Sequence, residues 1–186
     1  MNAVPSMRRQ LRNITLVTAT ILLLPLMAMR FTREVNWSVS DFVIAGVLLF
    51  GTGLAYVVIS RASKSPVYRL GVAVAVMTGL ALIWINLAVG IIGSEDNPAN
   101  ALYVGVIVVG LIGIASARLR PQGMARAAFV TAAAQALVPF VALIIWRPSF
   151  DNTPGIVGVF ILNAMFAGAF VVAGMLFKRA AEADKR

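Results

Sequence analysis

Apolar residues run along this chain in six blocks, and the charges are confined to the breaks between them. Windows free of Asp, Glu, Lys and Arg extend over 13–29, 42–60, 70–94, 97–117, 127–146 and 152–177. A charge at the centre of a bilayer costs about 2.5–3.5 kcal/mol even on a lenient insertion scale, so such windows mark segments that can lie in hydrocarbon. Their lengths are 17, 19, 25, 21, 20 and 26 residues. A helix needs roughly 20 apolar residues to cross a bilayer core. The pattern predicts an all-α polytopic membrane protein, a six-transmembrane-helix bundle forming a single transmembrane domain over 1–186.

Composition supports the pattern. Hydrophobic residues make up 60% of the chain and charged residues 12%, against about 25% charged in soluble domains. An ordinary water-soluble globule and a disordered chain are both excluded. The sequence has no Cys and no His, which removes disulfides, thiolate metal sites, His ligation and His or Cys catalysis. No cofactor and no metal is expected.

The positive charges set an orientation. With the N-terminus taken as cytoplasmic, thirteen basic residues fall inside, in four clusters around Arg8–Arg12, Arg61–Arg69, Arg118–Arg126 and Lys178–Arg186. Only Arg30, Arg33 and Arg147 fall outside, together with Glu34, Asp41, Glu95, Asp96 and Asp151. This asymmetry in short loops predicts that both termini are cytoplasmic. The net charge of +9 then belongs to short juxtamembrane clusters, with no basic arm or aromatic-interleaved patch of the kind that binds nucleic acid. The expected partner is the lipid bilayer with its anionic inner leaflet, at about 1 kcal/mol per basic residue. Arg8, Arg9 and Arg12 ahead of an apolar run also have the look of a signal peptide, but no A-x-A site follows Leu26-Met27-Ala28-Met29. The segment is expected to be retained as the first helix.

Helix starts on the external side share one punctuation. Ser38 and Asp41 fit a capping box before the second span, and Asn97-Pro98 and Asn152-Thr153-Pro154 offer an N-cap followed by proline at the first helical position. Asp41, Glu95, Asp96 and Asp151 could together be read as an external acidic ring for a cation. Capping and the helix dipole explain the same residues with less assumption. An offset of 59 matches Gly46 to Gly105, Val47 to Val106, Gly51 to Gly110 and Arg61 to Arg120, which is compatible with a repeated two-helix hairpin.

Small residues recur in helical register: Gly46, Gly51 and Gly53; Gly105, Gly110 and Gly113; Ala128, Ala132 and Ala136; Gly168 and Gly174. They predict close helix packing, since small residues are how helices associate in lipid. Three amides lie inside the windows away from the caps, namely Asn86, Gln135 and Asn163. Asn86 is expected to share a stripe with Gly79, Gly90 and Gly93. Pro139 stands four residues after Gln135 and has no N–H to give its carbonyl. Asn86, Gln135, Asn163 and Pro139 therefore form the candidate mid-membrane polar site. The competing reading is interhelical hydrogen bonding, at about 0.6 kcal/mol on average. No carboxylate or base accompanies the amides, as ion-coupled carriers usually require.

Two stretches, 28–37 with Ser40-Asp41-Phe42 and 84–100, and a third, Arg118-Leu119-Arg120-Pro121-Gln122-Gly123-Met124-Ala125-Arg126, resemble a family of small bacterial multi-span inner-membrane proteins. The resemblance implies a bacterial origin and a multi-pass fold, and brings no activity or site residue with it. The expectation is a non-enzymatic inner-membrane protein, an accessory or scaffold subunit or a self-associating bundle. The alternative is a small channel or carrier for an ion or small solute.

Overall fold

The computed structural model describes residues 6–145 and 155–184. Six α-helices follow one another in it: α1 (Met7–Phe31), α2 (Val39–Ser60), α3 (Pro66–Ala88), α4 (Leu102–Ala117), α5 (Pro121–Ile145) and α6 (Gly155–Ala183). A single 3₁₀ turn, Pro98–Ala101, leads into α4. There is no strand among the described residues. All six helices, α4 taken together with its leading turn, are long and apolar enough to cross a membrane.

At the cytoplasm-assigned side, α2 and α4 end with their charge-free windows and the other four helices run further. α1 takes in Arg8, Arg9 and Arg12, α5 begins six residues early at Pro121, and α6 continues through Lys178, Arg179 and Glu182. A charge-free window measures hydrocarbon, not helix. Arg, Lys, Glu and Ala are strong helix formers in water, so the helix persists where the window stops.

On the opposite side α1 and α2 also overrun their windows, to Phe31 and from Val39, whereas α3 falls short. α3 was expected to reach Ser94 but stops at Ala88, because Gly90 and Gly93 adopt φ of +67° and +71°. That left-handed conformation is open to glycine and incompatible with a continuing helix. The stripe joining Asn86 to Gly90 and Gly93 therefore does not exist. Residues 89–97 instead form a folded connection whose Ile91 and Ile92 are fully buried.

The chain divides into two compact units, 1–58 and 59–186. In the first, Ile14 of α1 lies over Gly53 of α2, where a Cβ would come within 2.8 Å of its side chain, and Leu22 lies over Gly46. No residue of α1 is buried. The capping box at the start of α2 forms as the sequence predicts. Asp41 Oδ2 accepts from the Ser38 N–H at 2.7 Å, and Ser38 Oγ accepts from the Asp41 N–H at 3.3 Å. Trp37 and Phe42 stack edge-on at 5.2 Å across it, a hydrophobic staple that fixes the entry of the chain.

In the second unit α5 packs between α4 and α6, α6 also packs on α3, and α3 and α4 meet only marginally. A repeated hairpin would have set α3 on α4. The small-residue expectation holds in part. Gly110 faces Thr131, and Gly113 is so close to Ala127 that a Cβ there would fall 2.8 Å from the alanine methyl. Gly51, Gly105 and Gly168 face open space, and Ala136 is exposed. The α4–α5 turn carries two left-handed residues other than glycine, Arg118 and Leu119, at φ 48° and 59°. Such residues cost on the order of 1–3 kcal/mol each. The buried Tyr68 hydroxyl holds the turn by donating to the Leu119 carbonyl at 2.8 Å.

Candidate functional site

The most polar part of the interior lies in the second unit, where α4, α5 and α6 each contribute one side chain. Asn163 of α6 is the hub. Its Nδ2 donates to the Val159 carbonyl one turn back at 2.8 Å and to the Tyr103 hydroxyl of α4 at 3.0 Å. Its Oδ1 accepts from Gln135 Nε2 of α5 at 2.9 Å. A longer approach of 3.4 Å joins the Tyr103 hydroxyl to the same Oδ1. Gln135 is fully buried, Asn163 is 1% exposed and Tyr103 2%.

The amide orientations are dictated by chemistry. A carbonyl only accepts, so Nδ2 must face Val159, which turns Oδ1 toward Gln135. Gln135 must then present Nε2, because its Oε1 would set two acceptors against each other. Oε1 is left over, with no donor from the protein. Pro139, buried on the next turn of α5, also withholds the N–H that the Gln135 main-chain carbonyl would normally receive. The structure thus brings Gln135, Asn163 and Pro139 into one neighbourhood and adds Tyr103, which the sequence does not single out.

Asn86 does not belong to this set. Its Nδ2 donates to the Asn100 carbonyl at 3.3 Å, and its Oδ1 has no protein partner. The important amide there is Asn100, which lies in the stretch that reads as helix start and escaped notice. Asn100 Oδ1 accepts from the N–H groups of Ile91 at 3.1 Å and Ile92 at 2.9 Å. Asn100 Nδ2 donates to the carbonyls of Ile92 at 3.3 Å and Ser94 at 2.6 Å. One side chain substitutes for the helical bonds that residues 89–97 gave up. Ile91 and Ile92 then insert into a cluster with Leu82, Tyr103, Val106, Val138, Ala142 and Val159. The glycines at 90 and 93 and the asparagine at 100 are what the sequence shows of this loop.

No family model, curated protein or solved structure matches the chain. No activity or site residue comes to it from a relative.

Among the candidate acidic residues, Asp41 is taken up by Ser38, and Glu95 and Asp96 are exposed. Asp151, with the cap at Asn152-Thr153-Pro154, lies outside the described residues. Asn97 caps the 3₁₀ turn by accepting from the Ala99 N–H at 3.0 Å. Among the described residues, no three His, Cys, Asp or Glu side chains gather where they could hold a metal ion. Beside the buried hydroxyls of Tyr68 and Tyr103, the buried polar residues among those described are Ser60, Thr78, Asn100, Thr131, Gln135 and Asn163. Such a set can tie helices together and bind a neutral hydrogen-bonding group.

Proposed function

We propose that the chain is a multi-pass protein of the bacterial inner membrane, with both termini in the cytoplasm and a non-enzymatic role as an accessory or scaffold subunit, alone or self-associated. The observation that carries this reading is the Tyr103–Gln135–Asn163 network. Its amides are turned mainly toward one another and toward a main-chain carbonyl, which is what locking three helices requires. Six long apolar helices and the thirteen-to-three distribution of basic residues support the membrane setting and the orientation. The basic clusters then lie against the anionic inner leaflet, and nucleic acid is not a partner.

A second reading, a small channel or carrier for an ion or small solute, is favoured by one observation: the buried Gln135 Oε1 has no protein donor. Reconstitution separates the two. Wild-type protein purified in mild detergent should give a discrete assembly by native mass spectrometry, as an oligomer or with a co-purifying membrane subunit. Proteoliposomes made from it should be no leakier to ions or small solutes than empty vesicles. Reproducible permeation that disappears in the folded Gln135→Leu variant would replace the scaffold reading with the transport one.

A further inference from the structure

We infer that the Tyr103–Gln135–Asn163 network is a built site for one occluded water molecule, which accepts from the Tyr103 hydroxyl and donates to Gln135 Oε1. Donors and acceptors within the network do not balance. Asn163 Nδ2 uses both hydrogens, on Val159 and Tyr103, and Asn163 Oδ1 receives the short bond from Gln135. The Tyr103 oxygen already accepts from Asn163, so its own hydrogen must leave in another direction. Its 3.4 Å approach to Oδ1 is far beyond the 2.7–2.8 Å usual for hydroxyl bonds. One donor and one acceptor therefore remain, the Tyr103 O–H and Gln135 Oε1, both anchored on Asn163 and not bonded to each other.

The two remainders are complementary. A buried acceptor left unmet is expensive, and a site with two or more polar partners is where interior water is held. A third contact is on hand, because Gln135 Nε2 has a second hydrogen beyond the one given to Asn163. A cation is disfavoured, since the site holds no negative charge and the Tyr103 hydrogen would point at it. A larger solute would have to displace the Ile91, Ile92, Val138, Ala142 and Val159 side chains that pack around Tyr103. Ile91 and Ile92 belong to the loop that Asn100 ties down and are wholly buried.

Two measurements on the full chain test this site, and its failure leaves the non-enzymatic reading untouched. In a ¹⁵N-labelled sample, the side-chain amide protons of Gln135 should show cross-relaxation with a long-lived water. The same amide signal, assigned by its loss in Gln135→Met, should keep its place but lose that cross-peak in Tyr103→Phe. A high-resolution structure should show one isolated density within hydrogen-bond distance of both Tyr103 Oη and Gln135 Oε1. An assigned Gln135 amide without a water cross-peak overturns the proposal, as does an absent density or one too large for water.

Discussion

Asn163 and Gln135 look equivalent in the sequence, as single amides midway along apolar helices. Their surroundings make them unequal. Asn163 engages three neighbours through both ends of its amide, whereas Gln135 makes one bond. Asn163→Leu should therefore lower stability by about 1–2 kcal/mol and Gln135→Leu by about 1 kcal/mol or less, the range measured for hydrogen bonds between membrane helices. Denaturant unfolding in detergent reads the difference, and a larger loss at Gln135 would contradict the hub assignment. The pairing itself was legible, because few polar residues interrupt these spans and such residues seek each other. Tyr103 was not legible. A tyrosine near the end of an apolar helix has the same pattern as an interfacial anchor, and only the approach of α6 shows that its hydroxyl is inside.

At the scale of elements, charges and caps located the helices, and the errors lie where local backbone chemistry outweighs hydropathy. Ser38–Asp41 and Asn97 form the predicted caps because their partners are two or three residues away. The end of α3 was missed because residues 89–94 are as apolar as the helix before them. Their fate is decided by two left-handed glycines and by Asn100, six to nine residues on from the groups it binds. This segment gives two linked expectations. Gly90→Ala places a Cβ 2.5 Å from the Ser94 carbonyl oxygen at a φ of +67°, so the loop must shift or strain. Asn100→Ala strands the buried N–H groups of Ile91 and Ile92, each a loss of about 1–3 kcal/mol if left unmet. Both variants should raise hydrogen exchange at Ile91 and Ile92 while leaving α5 protected. Unchanged protection of those two amides in Asn100→Ala would show that the asparagine does not hold the loop. Replacing Asn97 by Ala, which removes only a cap, should lower stability by about 0.5–2 kcal/mol and leave the loop closed.

For the whole molecule, the fold class was the most legible feature, since six charge-free windows became six helices. The arrangement of the helices was less so. The match at an offset of 59 compares single positions, and α4 turns its Gly110 and Gly113 toward α5 rather than α3. Small residues mark a face without saying which neighbour fills it. Everything proposed about role depends on the chain crossing the bilayer six times with both ends inside. The absence of native cysteine makes that directly measurable. Single cysteines at the exposed Ser94 and Gln122 should behave oppositely toward an impermeant maleimide in intact cells with a permeable outer membrane. Ser94→Cys should label, and Gln122→Cys should label only after the inner membrane is opened. Labelling of Gln122→Cys in sealed cells, with Ser94→Cys protected, would contradict the account.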